Sequence, residues 1–462
     1  MPAFKLDEIS KIIDGVIVNS TSDIVFTDYQ FDTRLIGSEP TLFFALKSEK
    51  GHGHKFVGKL NGNNQIAAVV EKDFDTSGVK IPLIVVSDSL KAAHKLASYI
   101  RNKFNNIKYI GITGSAGKTT SKEFVAQLLS FKYKVFKSFQ NWNNWIGMPF
   151  SMMKLKGDED FAVFELAMSY PGIGEIDLLT EILKPDIAVI LNVFPVHLEF
   201  LKTLENVALG KSEILNYLDS DSIAFVTGDS PEVLDIVKGK RGRKIFFGNN
   251  NDSNDIILKK SERYEDGTKL LIDFYGIETR FFTPFVNRIH VENLFAAIIV
   301  SQNAGMKNFE MEEAIKRIKP LSNRGRIKEI KDFTVIDETY NSNPMALEKT
   351  LSWVDREFEK VKIAVIGDML ELGEKENDYH LKAGRFFSGL NFSLLITVGK
   401  RAEKIADGAV EGGFPSESIV SFADSSDAGK FIFKEVKKGS VILFKASRGI
   451  ALENAIKEIE NG

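Results

Sequence analysis

Cysteine is absent from the 462 residues of the sequence. Its absence excludes disulfide frameworks, cysteine-ligated zinc, iron–sulfur clusters and thiol nucleophiles, and it fits a protein of the reducing cytoplasm. An excess of charge of either sign is also missing, because 60 Lys and Arg residues face 63 Asp and Glu residues, for a net charge of −3. This balance argues against a dedicated nucleic-acid binder.

Long apolar runs are lacking as well. No stretch reaches the roughly 18 uninterrupted apolar residues of a membrane-spanning helix, so none is predicted. Residues 1–15, MPAFKLDEISKIIDG, have no basic region followed by an apolar run, and no signal peptide is predicted. The composition, 44% hydrophobic and 27% charged, is that of a globular protein and excludes a disordered scaffold.

Two polar stretches, NKFNNIK at 102–108 and KPLSNRGR at 319–326, predict joints between domains. They divide the chain into predicted domains of residues 1–105, 106–320 and 321–462. Continuous apolar runs rich in β-branched residues alternate with helical patterns in the second and third domains, which predicts parallel sheets covered by helices on both faces. We therefore expect an α/β protein with a mixed α/β N-terminal domain, a central phosphate-loop ATPase domain and a C-terminal Rossmann-like, doubly wound domain. The predicted strands are 109–113, 161–167, 186–193, 222–228, 333–337, 362–368, 394–399 and 440–445.

A glycine-rich turn between a predicted strand and a predicted helix (118–131) is the strongest local signal. Residues 111–120, GITGSAGKTT, contain the tight pattern T-G-x-x-G-K-T. Main-chain N–H groups of such a loop surround phosphates, with Lys118 expected at the β- and γ-phosphates and the Thr119 hydroxyl at Mg²⁺. The alternative is a tight turn with an incidental lysine. The predicted ATP-binding loop residues are Thr113, Gly114, Ser115, Ala116, Gly117, Lys118, Thr119 and Thr120.

Three further polar residues follow predicted strands or lie in a helical pattern. Glu165, near the carboxyl end of a strand, could hold the Mg²⁺ of a nucleotide or simply be a helix-capping or solvated acid. His197 could be a metal ligand or a hydrogen-bonded surface group. Lys211 is, from its spacing alone, a solvated lysine.

Other motifs stand in order along nearly the whole chain. They are FDTR at 31–34, LFFAL at 42–46, GH at 53–54, the loop at 113–120, NWNN at 141–144 with Ile146, Gly147 and Pro149, DETYNSNP at 337–344, GDMLELG at 367–373 and KASR at 445–448. Together they resemble the Mur ligases, the ATP-dependent amide-forming enzymes of peptidoglycan precursor synthesis. The last three motifs are most similar to the branch of the family that adds a dipeptide.

The resemblance implies a ligase that adds D-alanyl-D-alanine to UDP-N-acetylmuramoyl-tripeptide through an acyl phosphate, with ATP, two Mg²⁺ ions and a carbamylated lysine. It implies a cytoplasmic monomer of cell-wall synthesis, hence of cell shape and division, whose first domain binds the uridine nucleotide and whose last binds the dipeptide. The alternatives are a Mur-type ligase for a single amino acid, a more distant folylpolyglutamate-type ligase, and a binding module that hydrolyses ATP without forming a bond.

The resemblance also implies roles for individual residues. The expected catalytic residues are Lys118, Lys211, His197 and Arg326. The expected metal ligands are Thr119, Glu165, His197 and, as a carbamate, Lys211. Beyond the loop, the expected ATP contacts are Asn293, Arg326, Asp337 and Glu338. The expected substrate contacts are Thr33, Arg34, Phe44, Asn141, Asn144, Tyr340, Asn341, Asn343, Ser447 and Arg448. Three residues depart from the family pattern: His290 where an adenine-side asparagine is expected, Trp145 for an acid, and His52 for an aspartate.

Overall fold

The structure, a computed structural model, describes all but a few short segments of the chain. The described residues are 2–20, 23–48, 51–139, 141–168, 172–196, 198–249, 252–319, 321 and 323–462. Within them, three larger sheets follow one another along the chain, and this arrangement confirms the predicted α/β class.

The first sheet lies between residues 16 and 86 and mixes strand directions. Its order is β2-β9-β8-β5-β4; β2 pairs antiparallel with β9, and the other neighbours are parallel. The elements of this part are β1 (Phe4–Lys5), α1 (Leu6–Ile12), β2 (Val16–Val18), β3 (Val25–Phe26), β4 (Asp28–Gln30), β5 (Thr41–Phe44), β6 (Lys47–Ser48), β7 (Gly51–His52), α2 (His54–Val57), β8 (Ile66–Glu71), β9 (Leu83–Val86) and α3 (Ser89–Lys103).

The second sheet has nine strands among the described residues, in the order β11-β12-β10-β13-β14-β15-β16-β17-β18. The neighbours are parallel as far as β16, and β16 to β18 form an antiparallel extension that the sequence analysis did not predict. The elements are β10 (Lys108–Thr113), α4 (Lys118–Leu129), β11 (Val135–Lys137), α5 (Gly147–Met152), β12 (Phe161–Glu165), α6 (Glu175–Leu183), β13 (Ile187–Ile190), α7 (Leu198–Leu201), α8 (Leu204–Ser212), β14 (Ile223–Thr227), α9 (Pro231–Lys238), β15 (Arg243–Gly248), β16 (Ile256–Tyr264), β17 (Gly267–Phe274), β18 (Ile277–Thr283), α10 (Arg288–Asn303) and α11 (Asn308–Ile315).

The third sheet has the order β19-β20-β24-β21-β22-β23, in which only the edge strand β19 is antiparallel within this part of the chain. The elements are β19 (Arg326–Ile330), β20 (Phe333–Glu338), α12 (Pro344–Glu357), β21 (Lys362–Gly367), α13 (Glu376–Ser388), β22 (Leu394–Val398), α14 (Glu403–Glu411), β23 (Ile419–Phe422), α15 (Ser425–Glu435), β24 (Val441–Lys445) and α16 (Glu453–Asn461). The parallel core confirms the doubly wound prediction.

Buried strands explain why the predicted runs form these sheets. Every residue of β13, IAVI, and of β24, VILFK, is buried, as expected of parallel strands with helices on both faces. The helices begin at recognisable signals: at α12, Pro344 is at the first position and the Asn343 side chain accepts a hydrogen bond from the Ala346 N–H at 2.9 Å.

The cores show how the three parts are joined. One cluster of buried apolar side chains runs from the first sheet to one face of the second, and includes Phe4, Leu96, Phe150 and Phe164. Each of the two faces of the third sheet is covered by a separate cluster of apolar side chains, and both clusters contain only residues of the C-terminal part. The N-terminal and central parts therefore share a core, whereas the C-terminal part meets them across a cleft. Among the described residues, no helix is both long enough and apolar enough to cross a membrane.

Candidate functional site

The phosphate loop joins the carboxyl end of β10 to α4 at the centre of the second sheet. Asn192, just beyond β13, holds the loop in place: its side chain accepts a hydrogen bond from the Ala116 N–H at 2.9 Å and donates one to the Ala116 carbonyl at 3.1 Å. Gly117 precedes the helix with φ +80, and a Cβ there would lie 2.2 Å from Asn293 Oδ1. Only glycine fits this left-handed turn, which aims the amides of the helix N-terminus at the cleft.

Lys118 folds back over the loop. Its Nζ donates a hydrogen bond to the Gly114 carbonyl at 2.8 Å. Burial lowers the pKa of Lys118, and the charge of Arg324 lowers it further, whereas Glu165 and Glu371 act in the opposite direction. The ammonium group thus lies where the outer phosphates of a nucleotide on the loop would need positive charge.

Glu165 ends β12 next to the loop and is almost fully buried. Its Oε2 accepts a hydrogen bond from Thr119 Oγ1 at 2.6 Å, and its Oε1 accepts one from Asn143 Nδ2 at 2.8 Å. A hydroxyl and a carboxylate side by side are the hard oxygen donors that Mg²⁺ prefers, so these residues fit that ion. Asn143 is not among the residues expected from the sequence, although it lies inside the NWNN motif between the expected contacts Asn141 and Asn144.

Lys211, at the end of α8, is fully buried, so the spacing-based prediction of a solvated lysine is wrong. Among the described residues its Nζ has no hydrogen-bond partner. Burial and the nearby charge of Lys118 hold the pKa of Lys211 well below its usual value, against the opposing charges of Glu175, Glu165 and Glu213. A buried neutral amine beside a carboxylate-rich site is the form that reacts with CO₂, so the residue fits the expected carbamate.

His197, the expected ligand of a second Mg²⁺ ion, lies outside the described residues. Within the described part of the chain, no three acidic or histidine side chains come together as a metal site. The metal-binding roles of Thr119, Glu165, His197 and Lys211 therefore remain predictions.

A cavity of about 800 Å³ opens beside the loop, between the second sheet and the helices α12 and α13. It begins at Ala116 and Gly117 and is walled by Asn293, Arg288 and Trp353. This volume suits a nucleoside whose phosphates lie on the loop. Asn293 also accepts a hydrogen bond from Ser121 Oγ at 3.0 Å, so that its side chain is fixed at the junction of loop and cavity.

Two arginines, one in the linker before β19 and one at the first position of β19, differ in their exposure. Arg326, expected at the nucleotide, is exposed, whereas Arg324 is half-buried and lies 3.7 Å from the centre of the Tyr340 ring. His290 Nε2 lies 2.5 Å from the Arg324 carbonyl oxygen. His290 thus fastens the linker to α10 and is not among the residues lining the cavity, and its burial lowers its pKa.

The acidic pair after the linker is held inside the C-terminal part. Asp337 accepts a hydrogen bond from Thr339 Oγ1 at 2.9 Å and lies 3.5 Å from Lys328 Nζ. Glu338 Oε2 lies 3.3 Å from the buried Lys445 Nζ. Of the two acids, Glu338 is the more exposed, and a Cβ added at the linker glycine Gly325 would lie 2.9 Å from Glu338 Oε1.

The expected substrate contacts of the N-terminal half lie in different settings. Phe44 is fully buried and packs edge-on against Phe150, with ring centroids 5.3 Å apart, so its aromatic ring is part of the core, and the expected substrate contact stays a prediction. Thr33 and Arg34 lie in a short 3₁₀ turn, with Arg34 paired to Asp32 at the surface. Asn141 is exposed.

Several other expected contacts hold main chain in place. Asn144 Oδ1 accepts hydrogen bonds at the start of α5, from the Gly147 N–H at 2.8 Å. Asn341 Oδ1 accepts one from the Ser342 N–H at 2.8 Å, and Asn343 caps α12. The Arg448 guanidinium lies 5.8 Å from the centre of the Tyr340 ring and is paired with Glu453 at 2.9 Å. Buried Ser447 accepts a hydrogen bond from the Leu370 N–H at 2.9 Å.

Comparison with known proteins places this site in a family. Residues 112–301 match the model of the Mur ligase middle domain, and residues 323–448 match the model described as Mur ligase, glutamate ligase domain. The class is therefore that of the ATP-dependent ligases with a phosphate loop and a separate C-terminal domain, and the chain belongs to the Mur ligase family.

Full-length relatives narrow the family to one branch. The chain is 31% identical over 454 residues to the UDP-N-acetylmuramoyl-tripeptide–D-alanyl-D-alanine ligase of Bacillus subtilis, with 98% of this chain and 97% of the relative covered. It is 26% identical to the enzyme of that name from Escherichia coli, with both chains fully covered. The solved MurF ligase of Thermotoga maritima in complex with ADP is 28% identical and superposes with a TM-score of 0.81 over 94% of this chain and 97% of that one. These matches confirm the predicted family and its three-domain architecture.

Proposed function

We propose that this protein joins D-alanyl-D-alanine to UDP-N-acetylmuramoyl-tripeptide with ATP, giving the pentapeptide precursor of peptidoglycan, ADP and phosphate. The observation that carries the proposal is the site at the end of the second sheet. There Lys118 folds back over the loop, Thr119 is hydrogen-bonded to Glu165, and the charges of Lys118 and Glu165 act on the buried amine of Lys211. The full-length similarity to ligases with this activity supports the choice of substrates.

The chemistry follows from the residues at that point. A carboxylate becomes reactive when its oxygen is made a leaving group, so the γ-phosphoryl group of ATP is transferred to the terminal carboxylate of the tripeptide. The dipeptide amine then attacks the acyl carbon, the amide bond forms and phosphate leaves. The chain's contribution is charge and position: Lys118 and the loop amides stabilise the transferring phosphoryl group.

Thr119 and Glu165, with Lys211 as a carbamate and His197, are the residues that would hold Mg²⁺. Bound Mg²⁺ supplies neutralisation of the phosphate charge. Asn143 orients Glu165 through the hydrogen bond to Oε1, and such outer partners commonly control metal affinity. Carbamylation would turn a lysine that repels a cation into a carboxylate that binds it.

The three parts of the chain take different substrates in this proposal. Residues 1–105 bind the uridine nucleotide, 106–320 bind ATP, and 321–462 bind the dipeptide. Arg326, Asn293 and one of Asp337 and Glu338 contact the nucleotide once the C-terminal part closes on the loop. The enzyme acts as a monomer in the cytoplasm, where ATP and the uridine-linked precursor are found.

Product analysis tests the proposal directly. The protein is incubated with ATP and UDP-N-acetylmuramoyl-tripeptides that differ in their third residue, together with D-alanyl-D-alanine or single amino acids, and the products are weighed by mass spectrometry. We expect the pentapeptide only with the dipeptide. A product with a single amino acid would assign the protein to another branch, and phosphate release without any amide would make it a non-ligating ATPase.

The turnover rate of Lys118→Ala should be about 10²–10³-fold lower than that of wild type, because a preorganised charge at the transferring phosphoryl group commonly accelerates the reaction by that factor. Replacement of the exposed Lys134 by alanine is the matched control and should leave turnover unchanged. Wild-type rates in Lys118→Ala would remove the loop from the mechanism.

A further inference from the structure

Lys122 is a buried lysine for which the proposed chemistry has no role. It follows Thr119 by three residues and Lys118 by four on α4, so the three side chains lie on one side of the helix. Its side chain is fully buried, whereas Lys118 and Thr119 are half-buried. A lysine is almost never fully buried unless its ammonium group is paired, so the partners of Lys122 indicate what it does.

The ammonium group of Lys122 holds the main chain just beyond β11. Its Nζ donates a hydrogen bond to the Ser138 carbonyl at 2.7 Å and lies 3.3 Å from Glu123 Oε1. The other carboxylate oxygen of Glu123 is paired with Lys137, so Glu123 has a second cation. The hydrogen bond to the Ser138 carbonyl therefore joins α4, the helix of the phosphate loop, to the segment that follows β11.

Ser138 lies next to Glu165 in the second sheet. β11 and β12 are parallel, with Lys137 opposite Val163, and the Ser138 N–H donates a hydrogen bond to the Val163 carbonyl at 2.9 Å. The Glu165 N–H donates a long hydrogen bond, of 3.4 Å, to Ser138 Oγ. Because Ser138 is itself buried, Lys122 fixes a residue that contacts the main chain of Glu165.

The segment between β11 and α5 also carries Asn143. The Asn143 carbonyl accepts a hydrogen bond from the Ala167 N–H at 2.8 Å, and Asn143 Nδ2 donates one to Glu165 Oε1 at 2.8 Å. The same segment thus contacts Glu165 twice, at its main chain through Ser138 and at its carboxylate through Asn143.

An apolar residue could not replace Lys122 in this arrangement. It would leave the buried Ser138 carbonyl without its donor, which is unfavourable, and the segment would be free to move toward other donors. Burial lowers the pKa of Lys122, and the negative charges of Glu165 and Glu123 oppose that shift.

We propose, on the basis of the proposed function, that Lys122 is a positioning residue for the Mg²⁺ site. It acts through Ser138 and Asn143. These two residues hold the Glu165 carboxylate beside the Thr119 hydroxyl, where the pair would bind the ion. The helix that carries Thr119 thereby also fixes the segment that orients the second ligand.

Calorimetric titration of MgCl₂ into the protein saturated with ADP measures metal binding without turnover. In Lys122→Met we expect the Kd for Mg²⁺ to rise about 10-fold or more, as is common when an outer partner of a metal ligand is removed, while the Kd for ADP in Mg²⁺-free buffer stays within about threefold of wild type. Lys137→Met is the matched control, because it removes the half-exposed lysine that pairs with the same glutamate, Glu123. It should bind Mg²⁺ as wild type does.

A double-mutant cycle distinguishes positioning from a general loss of stability. If Lys122 acts through the segment that carries Asn143, the double variant Lys122→Met/Asn143→Ala should bind Mg²⁺ at most about twofold more weakly than the weaker single variant. Independent effects would instead multiply to about 100-fold. Should Lys122→Met not fold, Lys122→Gln, which keeps an N–H donor on a shorter side chain, takes its place in the cycle.

The inference would be overturned by a wild-type Mg²⁺ affinity in Lys122→Met, since the contact with Ser138 would then have no effect on the metal ligand. Multiplying effects in the cycle would overturn it too, because Lys122 would then act independently of Asn143, and so would a wild type that binds no Mg²⁺ with ADP. Absence of the pentapeptide product from wild type would instead refute the proposed function, because the calorimetry uses neither the tripeptide nor the dipeptide.

Discussion

Replacement of Lys211 by methionine is the most direct probe of the site, because the lysine is buried without a hydrogen-bond partner among the described residues. Its pKa lies well below the usual value, chiefly because burial disfavours the charged form. The unfolded chain has an ordinary lysine, with a pKa of about 10.4. Between these two values the unfolded state holds one proton more than the folded state.

This difference in the number of bound protons determines the sign and the magnitude of the pH dependence of the stability. Stability rises with pH wherever the unfolded state binds more protons, here by about 1.4 kcal/mol for each pH unit. Above the pKa that Lys211 has in the unfolded state, the lysine therefore does not change the free energy of unfolding. As the pH falls toward its pKa in the folded state, the lysine lowers that free energy increasingly. Methionine has similar length and no charge, so Lys211→Met should be more stable than wild type near neutral pH, and the advantage should disappear toward pH 10–11.

Urea unfolding in CO₂-free, Mg²⁺-free buffer from pH 7 to pH 10.5 measures this difference. The same replacement at the exposed Lys238 serves as the control for the mere loss of a lysine. A stability difference between Lys211→Met and wild type that does not change with pH would refute the reasoning, since it would mean that Lys211 holds its proton in the folded protein.

Bicarbonate extends the experiment to the carbamate. A carbamate that forms only on the folded chain stabilises it by mass action, so wild type should gain stability with bicarbonate and Lys211→Met should not. Lys211→Ala should be inactive and partly rescued by short-chain carboxylic acids. Full activity of Lys211→Ala without any additive would exclude a role for the carbamate.

Three further predictions concern two residues of the site and one of the C-terminal part. Asn143→Ala removes the donor to Glu165 Oε1 and should raise the Mg²⁺ concentration for half-maximal rate about 10-fold, measured by initial rates; an unchanged requirement would dissociate Asn143 from the metal. Gly117→Ala places a Cβ 2.2 Å from Asn293 Oδ1 and should abolish ATP binding in calorimetry, whereas tight binding would show that the turn can relax. His380→Leu removes the ring nitrogen Nε2 that accepts a hydrogen bond from the Met369 N–H. The free energy of unfolding should fall by about 1–3 kcal/mol, and His380→Gln should recover part of that loss. Equal free energies of unfolding for wild type and His380→Leu would contradict this.

The fold could be predicted where an element is determined by residues that follow one another in the sequence. Buried parallel strands need continuous apolar runs, and the predicted 109–113, 362–368 and 440–445 agree with β10, β21 and β24 to within one residue at each end. The antiparallel extension β16 to β18 escaped prediction although β17 is mostly buried, because β16, which begins it, is largely exposed and its sequence IILKKSERY carries no continuous apolar signal. Whether such a strand joins an existing sheet depends on the neighbour it pairs with.

Only those parts of the site that form a continuous sequence motif could be predicted. The loop pattern points to Lys118 and Thr119 directly, because its chemistry lies in consecutive residues. The burial of Lys211 and Phe44 could not be read from spacing, since it depends on which helices and sheets pack over them. The pairing of Asn143 with Glu165 joins positions 22 residues apart, and only the fold brings them together.

Arg324 shows what the fold adds to a motif. The family resemblance selects Arg326, whose side chain is exposed at the start of β19, and its contact with the nucleotide stays a prediction. Arg324 stacks on Tyr340, and its carbonyl is fastened to His290, so its charge is fixed close enough to Lys118 to lower the pKa of that lysine. Two like charges near each other repel, and we expect the phosphates of a nucleotide bound on the loop to offset the repulsion between Lys118 and Arg324.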